Sequence, residues 1–149
     1  MPGILAFIDT NILLYAASTN PAEVGKRSEA RRVLSLGSFA FSVQVAQEFF
    51  VNATRKLAPA LSSSDALAFL KGINPAAVVA LDYELFEEAT RIQDRFQISY
   101  WDAAIVAAGK RLDCGKLYSE DLSDGQIYEG VEVANPFRRL AQNPLVQDQ

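Results

Sequence analysis

Four carboxylates stand where a short chain could do chemistry with them: Asp9 in "FIDTNILLYA", Glu48 in "SVQVAQEFF", Asp102 in "SYWDAAIVAA" and Asp121 in "LYSEDLSDG". Asp9 divides two apolar runs, and no lysine or arginine precedes Lys26. Asp102 leads into Ala103–Ala108, a stretch apolar on every side, with no cation in either adjoining turn. An isolated charge in such surroundings is costly unless something compensates it. Carboxylates gathered at one place repel unless they are protonated or neutralised. A set of oxygen donors without imidazole or thiolate suits magnesium or manganese rather than zinc.

Each acid also has an ordinary structural reading. Asp9 fits an N-cap, Glu48 a solvated position opposite an apolar helix stripe, and Ser99 with Asp102 resembles a capping box. Asp121 lies among Ser119, Glu120 and Asp124, residues that form turns. What separates these readings is whether the fold brings the four together.

The elements that must do so follow from the pattern of apolar residues. Ile4–Ile8 reads as a buried strand, followed by a helix over 11–16, a break at "STNP" and a helix over 22–36. A short strand ends at Ser42, which caps a helix running to about Leu57, with Val43, Ala46, Phe50, Ala53 and Leu57 as its apolar stripe. Further helices are expected over 62–72, 83–96 and 99–111, with strands at 76–81, in "GKLYS" and in "GVEVANPF". From about residue 136 a polar tail follows. Strands separated by helices imply a parallel sheet covered on both faces. The expected fold is a single-domain, three-layer α/β/α sandwich over residues 1–149, with a short, mostly parallel central sheet. Ligands of such sheets sit beyond the carboxyl ends of the strands, near a switch in strand order, and Asp9 and Asp121 each follow a strand.

Composition narrows the chemistry. The chain has 149 residues, a net charge of −4 and no histidine, which removes Ser-His-Asp and Cys-His nucleophiles and every histidine ligand. Its single cysteine, Cys114, forms no intramolecular disulfide and no CxxC zinc site. Apolar runs interrupted by Asp9 and Asp102 fall short of a membrane span, so a cytoplasmic protein with no membrane association is expected. The acidic balance runs against a strong basic field for nucleic acid. The basic groups available to track a backbone are Lys26, Arg27, Arg31, Arg32, Arg55 and Lys56, and solvated helix faces explain them as well. Trp101 and Tyr100 could stack on a base, but beside Asp102 on a buried helix their expected role is core packing.

The motifs quoted above, with the closing "VEVANPF", span nearly the whole chain, and in that order the sequence resembles a PIN-domain ribonuclease of the VapC type, the toxin of prokaryotic toxin–antitoxin pairs. The resemblance implies a magnesium-dependent endoribonuclease, with manganese as a possible substitute. By motif, Asp9, Glu48, Asp102 and Asp121 fall on the family's acidic catalytic positions. Asp9, Asp102 and Asp121 would hold metal, and Glu48 would position or deprotonate water. Asn11 and Ser119 match supporting polar positions, and Asp124 falls where many members carry a further acid, so either Asp121 or Asp124 could lie nearer the metal. An RNA substrate, a cognate antitoxin and a homodimer are implied in the same way, with Phe49, Leu67 and Phe69 as exposed-looking hydrophobics.

Two other classes compete. A non-catalytic PIN-like module that binds RNA or protein would share the fold. A haloacid-dehalogenase-like phosphatase needs a second aspartate where this chain has Asn11, and a receiver domain lacks its acidic pair. No phosphate-binding glycine loop is present.

Overall fold

The computed structural model describes residues 6–141. The expected first-strand residues Ile4 and Leu5 and the tail residues 142–149 lie outside the described residues. The strands are β1 (Ala6–Ile8), β2 (Phe39–Ser42), β3 (Ala77–Val79), β4 (Lys116–Tyr118), β5 (Ile127–Tyr128) and β6 (Val131–Ala134). The helices are α1 (Thr10–Ala17), α2 (Val24–Leu34), α3 (Val43–Arg55), α4 (Ser63–Gly72), α5 (Tyr83–Phe96), α6 (Tyr100–Arg111) and the short α7 (Arg138–Ala141). A single 3-10 turn at Pro21–Glu23 fills the break before α2.

The six strands form one sheet in the order β3-β2-β1-β4-β6-β5, parallel except for the β5–β6 pair. The chain works outward from β1 through β2 to β3, then crosses back to place β4 on the other side of β1. Strand order therefore reverses between β1 and β4, whose register pairs Ile8 with Tyr118. All three residues of β1 are buried, and because successive side chains point to opposite faces, both faces of the sheet are covered.

On one face lies α6, whose residues Ala103–Gly109 are all buried. At Gly109 the helix passes over Phe7, where an added Cβ would come into van der Waals contact at 3.4 Å. α5 packs along α6, while α1, α2, α3 and α4 pack among themselves. Serine caps set several helix starts: Ser42 accepts from the amide of Val45, Ser62 from that of Asp65 and Ser99 from that of Asp102.

Three features depart from the sequence expectation. The buried face of α3 is Val45, Phe49 and Ala53, with Gln44, whereas Phe50 is exposed and Val43 and Ala46 are half-buried. The stripe is thus rotated, because α3 carries apolar residues on nearly every face and spacing alone does not fix its phase. Phe49, read as exposed, is fully buried and stacks on Phe69 with centroids 5.2 Å apart; Leu67 is exposed and Phe69 is half-buried. The second departure is β5, a two-residue strand joined to β6 through Glu129 and Gly130, both at positive φ (52° and 91°), the backbone of a tight hairpin turn. Arg91, Arg95 and Lys110 all pair with the Glu129 carboxylate and hold that unusual residue in place. Thirdly, the segment read as tail begins inside packed structure: Phe137 and Leu140 are buried, and the Phe137 ring meets Tyr15 edge-on at 4.9 Å.

Candidate active site

The reversal between β1 and β4 places two side chains next to each other at the carboxyl edge of the sheet. Asp9 follows β1, its amide donating to the Tyr118 carbonyl at 3.0 Å, and Ser119 follows β4. The Ser119 hydroxyl donates to Asp9 Oδ2 at 2.7 Å and accepts from the amides of Asp121 and Leu122. One buried hydroxyl therefore orients Asp9 and folds the loop that carries Asp121. The other oxygen of Asp9 accepts from the Thr10 amide at 2.7 Å, so the capping role read for Asp9 is real and coexists with its place in the group.

The remaining members arrive from helices that start at the same edge. Glu48, on the second turn of α3, accepts from the Thr10 hydroxyl at 3.1 Å and from the Gln44 amide at 3.4 Å. It lies beside the buried face of α3 rather than opposite it, which is how it reaches β1. Asp121 accepts from Asn11 Nδ2 at 3.1 Å, and the Asn11 carbonyl oxygen accepts from the Glu120 amide. Asp102 sits in the first turn of α6, capped by Ser99 as expected. Thr10 and Gln44 were not singled out from sequence. Thr10 stood in plain view between Asp9 and Asn11, whereas Gln44 depends on the phase of α3.

Electrostatics mark these acids as a group. Burial, the largest influence, pushes the Asp9 carboxyl up to about 6; hydrogen bonds from Ser119 and Thr10 oppose this, and the charges of Asp121 and Glu48 add to it. Asp102 is also pushed above the ordinary carboxylate range, first by burial, with the Asp121 charge adding and the Ser99 hydroxyl opposing. Asp121 is thus near enough to act on both.

Among the described residues, none of the four has a salt bridge, although Glu29, Asp82, Glu88, Glu120, Asp124, Glu129 and Glu132 all do. Lys26 binds Glu120, the residue before Asp121, at 2.6 Å and the Tyr15 hydroxyl at 3.0 Å. Arg31 and Arg32 are likewise engaged, by the Ala16 carbonyl and Glu29. Asp124 is occupied elsewhere, accepting from the Asn135 amide at 2.7 Å and from Arg138 at 2.6 Å. Of the two acids left open by the sequence, Asp121 is therefore the one that faces Asp9 and Asp102.

The donor set is carboxylate and hydroxyl oxygen with no cation partner, which fits a hard divalent ion. Among the described residues, no three Asp, Glu, His or Cys side chains stand arranged as a ready-made cage for one ion. The carboxylate oxygens of Asp9, Glu48 and Asp121 accept instead from Ser119, Thr10 and Asn11.

A family model described as "PIN domain" matches residues 6–123, a span that includes all four acids. The chain belongs to the PIN-domain family. No curated protein sequence matches it. Among solved structures, this PIN domain is similar to a toxin–antitoxin complex from Klebsiella pneumoniae, with 19% identity and a TM-score of 0.66 over 88% of this chain and 97% of that one. It is similar also to the VapC20 toxin of Mycobacterium tuberculosis, described as cleaving the sarcin–ricin loop, with 18% identity and a TM-score of 0.63 over 78% and 91% of the two chains. The DNA-bound VapBC of Salmonella typhimurium gives 16% identity and a TM-score of 0.61 over 89% and 98%. At these identities the likeness is one of fold.

Trp101, expected in the core, is 64% exposed. The first turn of α6 projects past the sheet edge, and burial begins only at Ala103.

Proposed function

We propose that this PIN domain is a divalent-metal-dependent endoribonuclease, the VapC-type toxin of a toxin–antitoxin pair acting in the cytoplasm. One observation carries the reading: four acids converge at the sheet's carboxyl edge with Asp9 buried and Glu48 and Asp102 half-buried, and none of them has a salt bridge among the described residues, whereas the acids elsewhere that lack one are exposed, Glu23 apart. Asp9, Asp102 and Asp121 would hold magnesium, or manganese in its place. Bound there, the ion would lower the pKa of water and offset charge on phosphate oxygens.

The chain's own residues supply the rest. Glu48, held by Thr10 and Gln44, is the group to orient water or take its proton. Ser119 and Asn11 fix the carboxylates of Asp9 and Asp121. Asp124 has a structural role, tying the segment after β6 to the β4 loop. The whole of residues 1–149 would form the one domain.

The protein partner of this reading is an antitoxin. An apolar groove of about 330 Å³, lined by Ala16, Leu34, Phe39, Phe69 and Ile73 among others, supports a protein partner of some kind. Self-association as a homodimer is part of the same proposal, and light scattering of the purified chain checks it. Among the described residues no helix is long and apolar enough to cross a membrane.

A non-catalytic PIN-like module is the second reading, supported by the lack, among the described residues, of three carboxylates set as a ready-made cage. Cleavage of a pool of structured and single-stranded RNAs separates the two, run with magnesium, with manganese and with EDTA, beside Asp102→Asn. Metal-dependent cutting that the substitution abolishes supports the nuclease. RNA binding without cutting in any metal supports the module.

A further inference from the structure

Where α5 and α6 begin, the surface carries a chain of aromatic rings outside the acidic group. The centroids of Tyr83 and Phe86 lie 5.5 Å apart, those of Phe86 and Tyr100 6.0 Å, and those of Tyr100 and Trp101 5.0 Å. Trp101 is 64% exposed and Tyr83 72%. With Gln44 and Gln47 these rings line a groove of about 410 Å³. Its one charged lining residue, Asp82, is neutralised by Arg111 through hydrogen bonds of 2.7 and 3.0 Å.

The groove is continuous with the acids. Trp101 immediately precedes Asp102, and the Gln44 amide nitrogen donates both to the Trp101 carbonyl at 3.3 Å and to the Glu48 carboxylate at 3.4 Å. Any RNA whose phosphodiester lies at the four acids carries a nucleoside on each side of it. Trp101, adjacent to Asp102 in sequence and tied to Glu48 through Gln44, stands where such a nucleoside would be met.

We propose that this groove receives an unpaired nucleobase of the RNA substrate, with the Trp101 ring as its stacking surface and Gln47 and Gln44 as partners for its polar edge. This rests on the ribonuclease reading above and adds a substrate requirement to it. Exposed ring faces and side-chain amides match the flat face and polar edge of a base, while the lack of a free cation in the groove matches a base rather than a phosphate. A base inside a duplex has both faces covered, so the groove selects single-stranded or looped RNA next to the scissile bond.

Trp101 is the only tryptophan in the chain, so its emission reports this groove alone. The titration uses Asp102→Asn protein in magnesium, which holds RNA uncut, with a short mixed-sequence single-stranded RNA and an abasic chain of the same length. RNA should quench the emission saturably, and the abasic chain should not. In the otherwise unchanged enzyme, Trp101→Ala should raise KM about tenfold or more with a smaller effect on kcat, and Trp101→Phe should recover most of the loss. Tyr83→Ala, at the far end of the ring chain, should give a smaller rise.

Equal quenching by the abasic chain, or an unchanged KM in Trp101→Ala, would overturn the assignment. So would a dimer in light scattering that Trp101→Ala dissociates, since the groove would then be covered by a second copy. If the unsubstituted chain cleaves RNA and Trp101→Ala cleaves equally well, the groove assignment fails and the ribonuclease reading stands. If the unsubstituted chain neither binds nor cleaves, both fail together.

Discussion

Asp9→Asn should alter how the stability of the metal-free protein depends on pH, in a direction fixed by burial. The folded carboxyl titrates at about 6, against 3.8 for the ordinary group. The folded state therefore binds the proton more tightly than the unfolded state. Stability from this source is fully present below the unfolded value and is lost as pH rises through about 6. The two-unit separation corresponds to about 3 kcal/mol over the whole window. Between pH 7.5 and pH 5, the practical range for denaturation, the part recovered is about 1 kcal/mol. Asparagine keeps the cap on the Thr10 amide and carries no titratable proton; it loses the acceptor that Ser119 donates to, a cost independent of pH that drops out when the difference is followed across pH. Urea unfolding of both proteins in EDTA gives the test, read as the difference between them at each pH so that other titrating groups cancel. The unsubstituted protein should gain about 1 kcal/mol relative to Asp9→Asn on going from pH 7.5 to pH 5. A difference independent of pH, or one growing as pH rises, would refute the claim that burial dominates at Asp9.

Asp121→Asn should weaken magnesium binding in calorimetry, whereas Asp124→Asn should leave it unchanged and cost no more than about 1 kcal/mol in urea melts through the lost Arg138 pair. Phe49→Ala should destabilise by about 3–5 kcal/mol, and Phe50→Ala by less than about 1 kcal/mol, reversing the order the apolar stripe suggests. Glu129→Gln leaves Arg91, Arg95 and Lys110 without the carboxylate they share and should lower the thermal midpoint by several degrees in scanning calorimetry. The loss should shrink as pH falls, because a carboxylate held below its ordinary range stabilises only while ionised.

The alternation of short apolar runs with helical segments made the parallel sheet legible, and Ser42, Ser62 and Ser99 marked helix starts that the structure keeps. The edge at which Asp9 and Asp121 meet followed from the same alternation, because residues just after parallel strands share one end of the sheet. What the sequence could not fix was the phase of α3. Val43, Val45, Ala46, Phe49, Phe50 and Val51 spread over more than half of its circumference, leaving only Gln44, Gln47 and Glu48 as a polar side, so tertiary contact with Phe69 and the core decides which part of that wide apolar arc is buried. Glu48 and Gln44 inherited that ambiguity. The β5 strand was too short for any alternation to register, and its turn places a glutamate at positive φ, where glycine or asparagine is usual. Trp101 was misread because the apolar run after Asp102 suggested a helix buried from its first residue, whereas that first turn overhangs the sheet edge. Lys26 shows the opposite limit: far from any acid in sequence, it is brought by α2 against Glu120, one residue from Asp121, yet pairs with none of the four.

The most direct test of the central claim is calorimetric titration of the metal-free protein with magnesium and with manganese at neutral pH, beside Asp9→Asn and Asp102→Asn. The unsubstituted chain should bind either metal saturably, and each substitution should weaken that binding sharply. No binding heat at any metal concentration, or binding that both substitutions leave intact, would contradict it.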